Sequence, residues 1–252
     1  MKSKFKQFKQ QCLYGIHPVK EALIAKKRKM IRIFVNQDSR NPRLTEIVEM
    51  AVQRGVDITN VSSTDLSQRA RNDDHQQIAA YVSPLPLIDF YDMITRKAFI
   101  VICDQIMDPH NMGAMIRTAL AAGATGLITT QDRSTPLSPT VSKISSGAME
   151  HLPIARETNL VRCIKELKNA GIWVSGLDSN AKLSLYDVRL NESIALVIGN
   201  EHKGLRRLIR ENCDQILYIP QTGPLDSLNA SVAAGVAMYE VFRQRNYFRC
   251  YS

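Results

Sequence analysis

Residues 98–104, AFIVICD, open with six apolar residues in a row and no polar alternation. A strand of that composition is buried on both faces, a situation that arises in parallel sheets covered by helices on either side. The C-terminal half continues in the same way. MGAMIRTALAAG (112–123) reads as a helix that stops at Gly123, and TGLITT, GIWVSGL, IALVIGN and DQILYIP read as further strands. SLNASVAAGVAMYEVFRQR (227–245) reads as a long C-terminal helix. The alternation predicts an α/β fold with a mostly parallel sheet and helices on both faces.

A smaller α/β unit precedes it. HPVKEALIAKKR, PRLTEIVEMAVQRG and STDLSQRA have helical spacing, and IRIFVN, VDITNV and QIAAYVS have strand composition. SPLPLIDFYDMITRK (83–97), with two prolines and mixed polarity, reads as a linker. The predicted division is therefore 1–82, a linker at 83–97, and 98–252.

The 252 residues carry a net charge of +9, with basic runs at 2–9, KKRK (26–29) and RRLIR (206–210). Such a balance points to a polyanionic partner, of which nucleic acid is the commonest. The five cysteines, Cys12, Cys103, Cys163, Cys213 and Cys250, are scattered, with no Cys-x-x-Cys spacing. They read as reduced thiols serving neither a disulfide nor a metal. No apolar run has the length of a membrane span, and MKSKFKQFKQ lacks the apolar core of a secretory signal, so a cytoplasmic protein without membrane contact is expected.

Ligands of open α/β sheets bind beyond the carboxyl ends of strands, and three such ends carry unusual polar residues. In DPHNMGAMIR (108–117), Asn111 is placed to cap a helix, and Gly113 and Arg117 share one of its faces. In GNEHKG (199–204), two glycines permit tight turns around Glu201. In IPQTGPLDSLNASVA (219–233), Ser227 or Asn229 stands at a helix start, followed by a stripe of Ala230, Ala233, Ala234 and Ala237 that allows close packing within the subunit or with a second one. Singly, each has an ordinary explanation as a capped helix or surface turn.

In this order, Asn111…Arg117, Gly199-x-Glu201-x-x-Gly204-Leu205 and Ile219-Pro220…Ser227-Leu228-Asn229-x-Ser231 resemble the three motifs of the SpoU-type RNA ribose 2'-O-methyltransferases. YGIHPVKEAL (14–23) and HQQIAAYV (75–82) are similar to the two ends of that family's small RNA-binding domain, of the ribosomal L30e type. DRSTPLSPTVSKISSGAMEHLPI (132–154) is similar to the subfamily that acts on a guanosine in the peptidyl-transferase loop of 23S rRNA.

The resemblance implies a C-terminal trefoil knot in the sheet domain, S-adenosyl-L-methionine as cofactor, a homodimer, no metal, and 23S rRNA or its assembly precursor as partner. It implies that Gly199, Asn200, Ile219, Pro220 and Leu228 hold the cofactor. Arg117 would either deprotonate the 2'-hydroxyl or, since guanidinium stays protonated, bind the target phosphate and stabilise alkoxide charge. Asn111 would orient the ribose or Arg117, Glu201 would position Asn111 or substrate, and Ser227 and Asn229 would hydrogen-bond ribose or cofactor. The sequence departs from the family at His202, where Gly is usual, at Gln221, where Met is common, and at Gln77, usually Gly. His202 reads as a loop substitution rather than a base, and His75 as structural or an RNA contact. A tRNA ribose methyltransferase and a catalytically silent RNA-binding homologue are the alternatives. A nicotinamide enzyme lacks its G-x-G-x-x-G loop here.

Overall fold

The structure, a computed structural model, describes residues 10–223 and 227–247. The basic run at 2–9, the N-terminal leader reading, Cys250 and part of the Gly-Pro loop lie outside the described residues. The chain divides into two compact units, Met1–Pro86 with Leu137–His151, and Leu87–Pro136 with Leu152–Ser252.

The first unit orders its elements as β1 (Gln11–Tyr14), α1 (Ile16–Ala25), β2 (Met30–Asn36), α2 (Pro42–Gln53), β3 (Ile58–Val61), α3 (Ser63–Ala70) and β4 (Ile78–Val82). The strands form one sheet in the order β1-β4-β2-β3, with β2 and β3 parallel and the other pairs antiparallel. Side chains of a strand alternate between faces, and both faces are used. Leu13, Ile33, Val35, Ile78, Ala80 and Val82 pack with Val19, Leu23, Leu44 and Ile47 of α1 and α2. Tyr14, Phe34 and Ala79 point the other way and pack with Leu66 of α3. Asn41 caps α2 ahead of Pro42, and Ser62 caps α3. β1, short and half-buried at one end, was not marked by the apolar pattern.

The second unit runs through β5 (Phe99–Cys103), α4 (Pro109–Ala121) and β6 (Gly126–Thr130). Helix α5 (Pro139–Ile144) belongs to the first unit. The second unit resumes with β7 (Ile154–Glu157), α6 (Leu160–Asn169), β8 (Trp173–Leu177), β9 (Leu183–Ser184), β10 (Ile194–Ile198), α7 (Arg207–Asn212), β11 (Gln215–Tyr218) and α8 (Ala230–Tyr247). Its seven strands are parallel, in the order β7-β6-β5-β10-β8-β11-β9. Ile100, Ile102, Ile128, Val174 and Val197 face Ile164 and Leu167 of α6 and Ile209 of α7. The opposite face is covered by α4, whose Met115 sulfur lies 3.8 Å from that of Cys103, and by α8, packed on α4 with Gly235 beside Thr118. The expected α/β fold with helices on both faces is the one found.

Two expectations about organisation are revised. The proposed linker contributes to the core: Phe90 and Met93, in a short 3-10 turn, are buried in the second unit, where one aromatic and one apolar anchor outweigh the prolines before them. Residues 137–151, expected within the sheet domain, pack with the first unit. A buried ion pair fastens them there. Arg28 Nε and Nη2 donate to Glu150 at 2.7 and 3.0 Å, both side chains are fully buried, and Ser142 Oγ and Gln11 Oε1 complete the network. One of the four charges of KKRK is thus internal and not offered to a polyanionic partner.

Among the described residues, no helix is long and apolar enough to cross a membrane. Removing one partner of a buried ion pair leaves an uncompensated charge in the interior. Arg28→Ala is expected to cost about 3–5 kcal/mol of stability, measured by urea unfolding; a loss under about 1 kcal/mol, the range of an exposed pair, would contradict the assignment.

Candidate active site

Strands β5 and β10 lie side by side at the centre of the sheet and end together, Cys103 opposite Ile198. Their following loops therefore start from adjacent points, which brings the first two sequence motifs into contact although about 90 residues separate Asn111 from Glu201. Asn111 Nδ2 donates to Glu201 Oε1 at 3.2 Å, and the Asp108 main-chain N–H donates to the same oxygen at 3.4 Å. Asn111 is buried and does not cap α4. Asp108 does, accepting from His110 N with Pro109 as the first helical residue. The cap lies three residues before the expected one because Pro109 suits the first helical position and puts Asp108 at the N-cap.

The loop after β10 is a closed turn. The main chains of Asn200 and Gly204 exchange two hydrogen bonds, at 3.0 and 2.9 Å, and Gly204 takes a φ of 63°. A side chain on Gly199 has no room: its Cβ would stand 2.3 Å from the Gly204 carbonyl carbon and 2.4 Å from Leu205 N. Asn200 organises the turn from inside. Its Oδ1 accepts from His202 N and Lys203 N, while Nδ2 donates to Gln105 O at 2.8 Å and Glu201 Oε2 at 3.2 Å.

This turn forms one wall of a cleft of about 300 Å³. Gly199, Asn200, Glu201, His202 and Lys203 line it on one side; Leu217 of β11, with Ile219 and Gln221 after that strand, lines another; Ser227, Leu228, Ala230 and Ala233 close it. The remaining wall, Leu177, Asp178, Ser179 and Asn180, was missed by sequence reasoning. Its signal was present: the strand GIWVSGL runs into the polar turn DSN at a carboxyl end, where the same rule about ligand sites applies. Asp178 is paired with Arg210 at 2.6 Å.

The other expected site residues are distributed as follows. Pro220 is exposed, two residues past β11, and is not among the residues lining the cleft. Asn229 is the N-cap of α8, its Oδ1 accepting from Ser231 N, Val232 N and Ser231 Oγ. Arg117 is exposed on α4. The RRLIR run is consumed by ion pairs, Arg206 with Asp104, Arg207 with Glu211 and Arg210 with Asp178. His75 is buried and accepts from Gln77 N, and burial lowers its pKa, which fits a structural role. His151 Nε2 lies 2.7 Å from Glu21 Oε2.

No group of described residues could hold a metal ion. Burial pushes Cys103, Cys163 and Cys213 up to about 12 and Cys12 to about 11, so these thiols stay protonated at neutral pH and are poor nucleophiles.

The chain thus has a parallel α/β unit with a cleft built from polar loops at its strand ends, and a second, smaller unit. The chain belongs to the SpoU rRNA Methylase family, which matches residues 98–239, and the family described as RNA 2'-O ribose methyltransferase substrate binding matches residues 12–87. It is 37% identical over 241 residues to the 23S rRNA (guanosine-2'-O-)-methyltransferase RlmB of Xanthomonas axonopodis pv. citri, covering 93% of this chain and 97% of that one. Among solved structures it is similar to the AdoMet-bound rRNA methyltransferase from Sinorhizobium meliloti, with 26% identity, a TM-score of 0.79, and coverage of 93% and 87%. The A. aeolicus TrmH/SpoU tRNA modifying enzyme, 28% identical with a TM-score of 0.56, covers 63% of this chain and 82% of its own.

Gly199→Ala forces a methyl group into main-chain atoms of the turn, whereas the same change at Gly223 meets open space. The first is expected to cost about 1–3 kcal/mol of stability, the usual range for overpacking, and the second a few tenths at most. Thermal unfolding of the two variants checks this; equal melting temperatures would contradict it.

Proposed function

We propose that this protein transfers a methyl group from S-adenosyl-L-methionine to a ribose 2'-hydroxyl of RNA, its target a guanosine in the peptidyl-transferase loop of 23S rRNA. The observation that carries this reading is a single cleft lined by the second and third motif loops and fastened by Glu201 to Asn111 of the first.

The cleft fits the cofactor in size and chemistry. Its volume lies at the low end of the range for small-molecule sites. Leu177, Ile198, Leu217, Ile219 and Leu228 offer apolar contact for a base, and the main chain of 199–204 offers polar groups with no side chain in front of Gly199. When bound, S-adenosyl-L-methionine supplies an electrophilic methyl group on a sulfonium, so no metal is needed. Gly199, Asn200, Ile219 and Leu228 are the cofactor contacts in this reading, with Pro220 shaping the third loop from outside.

On the substrate side, the chain must align a weak nucleophile and stabilise the charge it develops. Because a guanidinium is a donor that does not give up its proton in proteins, the role of Arg117 is electrostatic, holding the target phosphate and favouring alkoxide character at the 2'-oxygen. Asn111 orients the ribose or Arg117. Glu201 positions Asn111, a role supported by their hydrogen bond. Ser227, exposed in the cleft wall, hydrogen-bonds ribose or cofactor, and Asn229 serves by starting α8 where it does.

The reading includes the trefoil knot of the class, supported by β10 lying between β5 and β8 and by the return of α8 along α4. It includes an L30e-like first unit, for which the mixed sheet with helices on both faces is the support. It also includes a homodimer in the cytoplasm. α8 exposes Val232, Tyr239 and Phe242 at 52%, 50% and 41%, an apolar face suited to a second copy. The rRNA target is preferred over tRNA because the tRNA-modifying structure covers only 63% of this chain, whereas the rRNA guanosine methyltransferase covers 93%.

The test is to incubate the protein with methyl-labelled S-adenosyl-L-methionine and separate rRNA and tRNA pools from cells lacking this modification. Label as 2'-O-methylguanosine in one large-subunit fragment is expected. Arg117→Ala is expected to lower turnover by about 10²–10³, the loss typical of a transition-state donor, with cofactor affinity retained. Label in tRNA would overturn the substrate assignment, and absence of cofactor binding would leave a silent RNA-binding homologue.

A further inference from the structure

Asp104 is the first residue past β5, and its carboxylate is fully buried. Arg206, 102 positions later, closes on it as a fork: Nε lies 2.8 and 3.0 Å from the two carboxylate oxygens, and Nη2 lies 2.7 Å from Oδ1. The next residue, Gln105, accepts from Asn200 Nδ2 at 2.8 Å. Two consecutive residues at the end of β5 therefore hold both ends of the β10–α7 loop, Asn200 at its start and Arg206 at its finish. The segment between them presents the turn that lines the cleft.

The coupling from Arg206 into the turn is steric. Leu205, next to Arg206, is buried in the core. Its Cδ1 sits 2.6 Å from where a Cβ on Gly176 of β8 would stand, and its N sits 2.4 Å from where a Cβ on Gly199 would stand. Leu205 is thus wedged between β8 and the main chain of Gly199, and a shift of Arg206 passes to Gly199 with little room for absorption. A fork fixes direction as well as distance, which a point charge does not.

We propose that Arg206, acting through Asp104, is a positioning residue for the cofactor cleft: the fork sets where the main chain of 199–205 stands, and so sets cofactor affinity. This rests on the reading of the cleft as the S-adenosyl-L-methionine site. Arg206 touches neither cofactor nor substrate in this account.

The test compares Arg206→Lys, which keeps a positive charge on Asp104 and loses the fork, with Arg207→Lys, a change in an exposed i,i+4 pair. Calorimetric titration with S-adenosyl-L-methionine is expected to show Kd raised about tenfold in Arg206→Lys, roughly the worth of one charge-assisted hydrogen bond. The urea midpoint and kcat at saturating cofactor should be retained, and Arg207→Lys should match the parent. Asp104→Asn removes the buried charge without stranding a partner in the interior, so it remains informative if Arg206→Lys folds poorly; the same rise in Kd is expected. In the double variant the two effects should not multiply. A folded Arg206→Lys or Asp104→Asn with parental Kd, or effects that multiply in the double variant, would overturn the proposal while leaving the cleft assignment intact. Failure of the unaltered protein to bind the cofactor would overturn both.

Discussion

The side-by-side ending of β5 and β10 is the constraint on which the site depends. Because Cys103 and Ile198 are register partners in adjacent parallel strands, the loops that follow leave the sheet from neighbouring points. Everything that fastens them uses that proximity: Glu201 on Asn111 and Asp108 N, Asn200 on Gln105 O, and Arg206 on Asp104. Glycine at 199 lets the second loop fold back on itself tightly enough to be gripped. The cleft is what remains between this clamped turn, the end of β8, and the start of α8.

The carboxylates in this arrangement are placed where burial makes partners obligatory. Asp104 is fully buried and meets a guanidinium, and Asp178, in the cleft wall, meets another. A basic chain thus spends part of its positive charge internally. The same economy operates in the first unit, where Arg28 is withdrawn to neutralise Glu150 from a segment that joins it after residue 136. Net charge points to a polyanionic partner, but the clustered basic runs of the sequence are not a map of its footprint.

Local chemistry made much of this legible in advance. The continuous apolar run 98–103 announced a strand buried on both faces, and Gly123 marked a helix end where φ is positive. The three polar loops were recognisable because strand ends are where ligands bind. What stayed hidden depends on long-range pairing. Nothing local distinguishes Asn111 as a partner of Glu201 from Asn111 as a helix cap, nor Asn229 as a cap from Asn229 as a ligand group. Phe90 and Met93 looked like linker residues because their burial is set by strands outside the segment. Arg28 and Arg206 sit in runs that pointed to a polyanionic partner, and their carboxylates lie 122 and 102 residues away.

The central claim is that the clamped turn at 199–204 encloses the cofactor together with Ile219, Gln221, Ser227 and Leu228. Amide hydrogen exchange with and without S-adenosyl-L-homocysteine tests it most directly. The account predicts slowed exchange in the peptides covering 199–205, 219–221 and 227–230, with the four-stranded sheet of the first unit unchanged. Ligand-dependent protection elsewhere, with those three peptides exchanging as before, would contradict it.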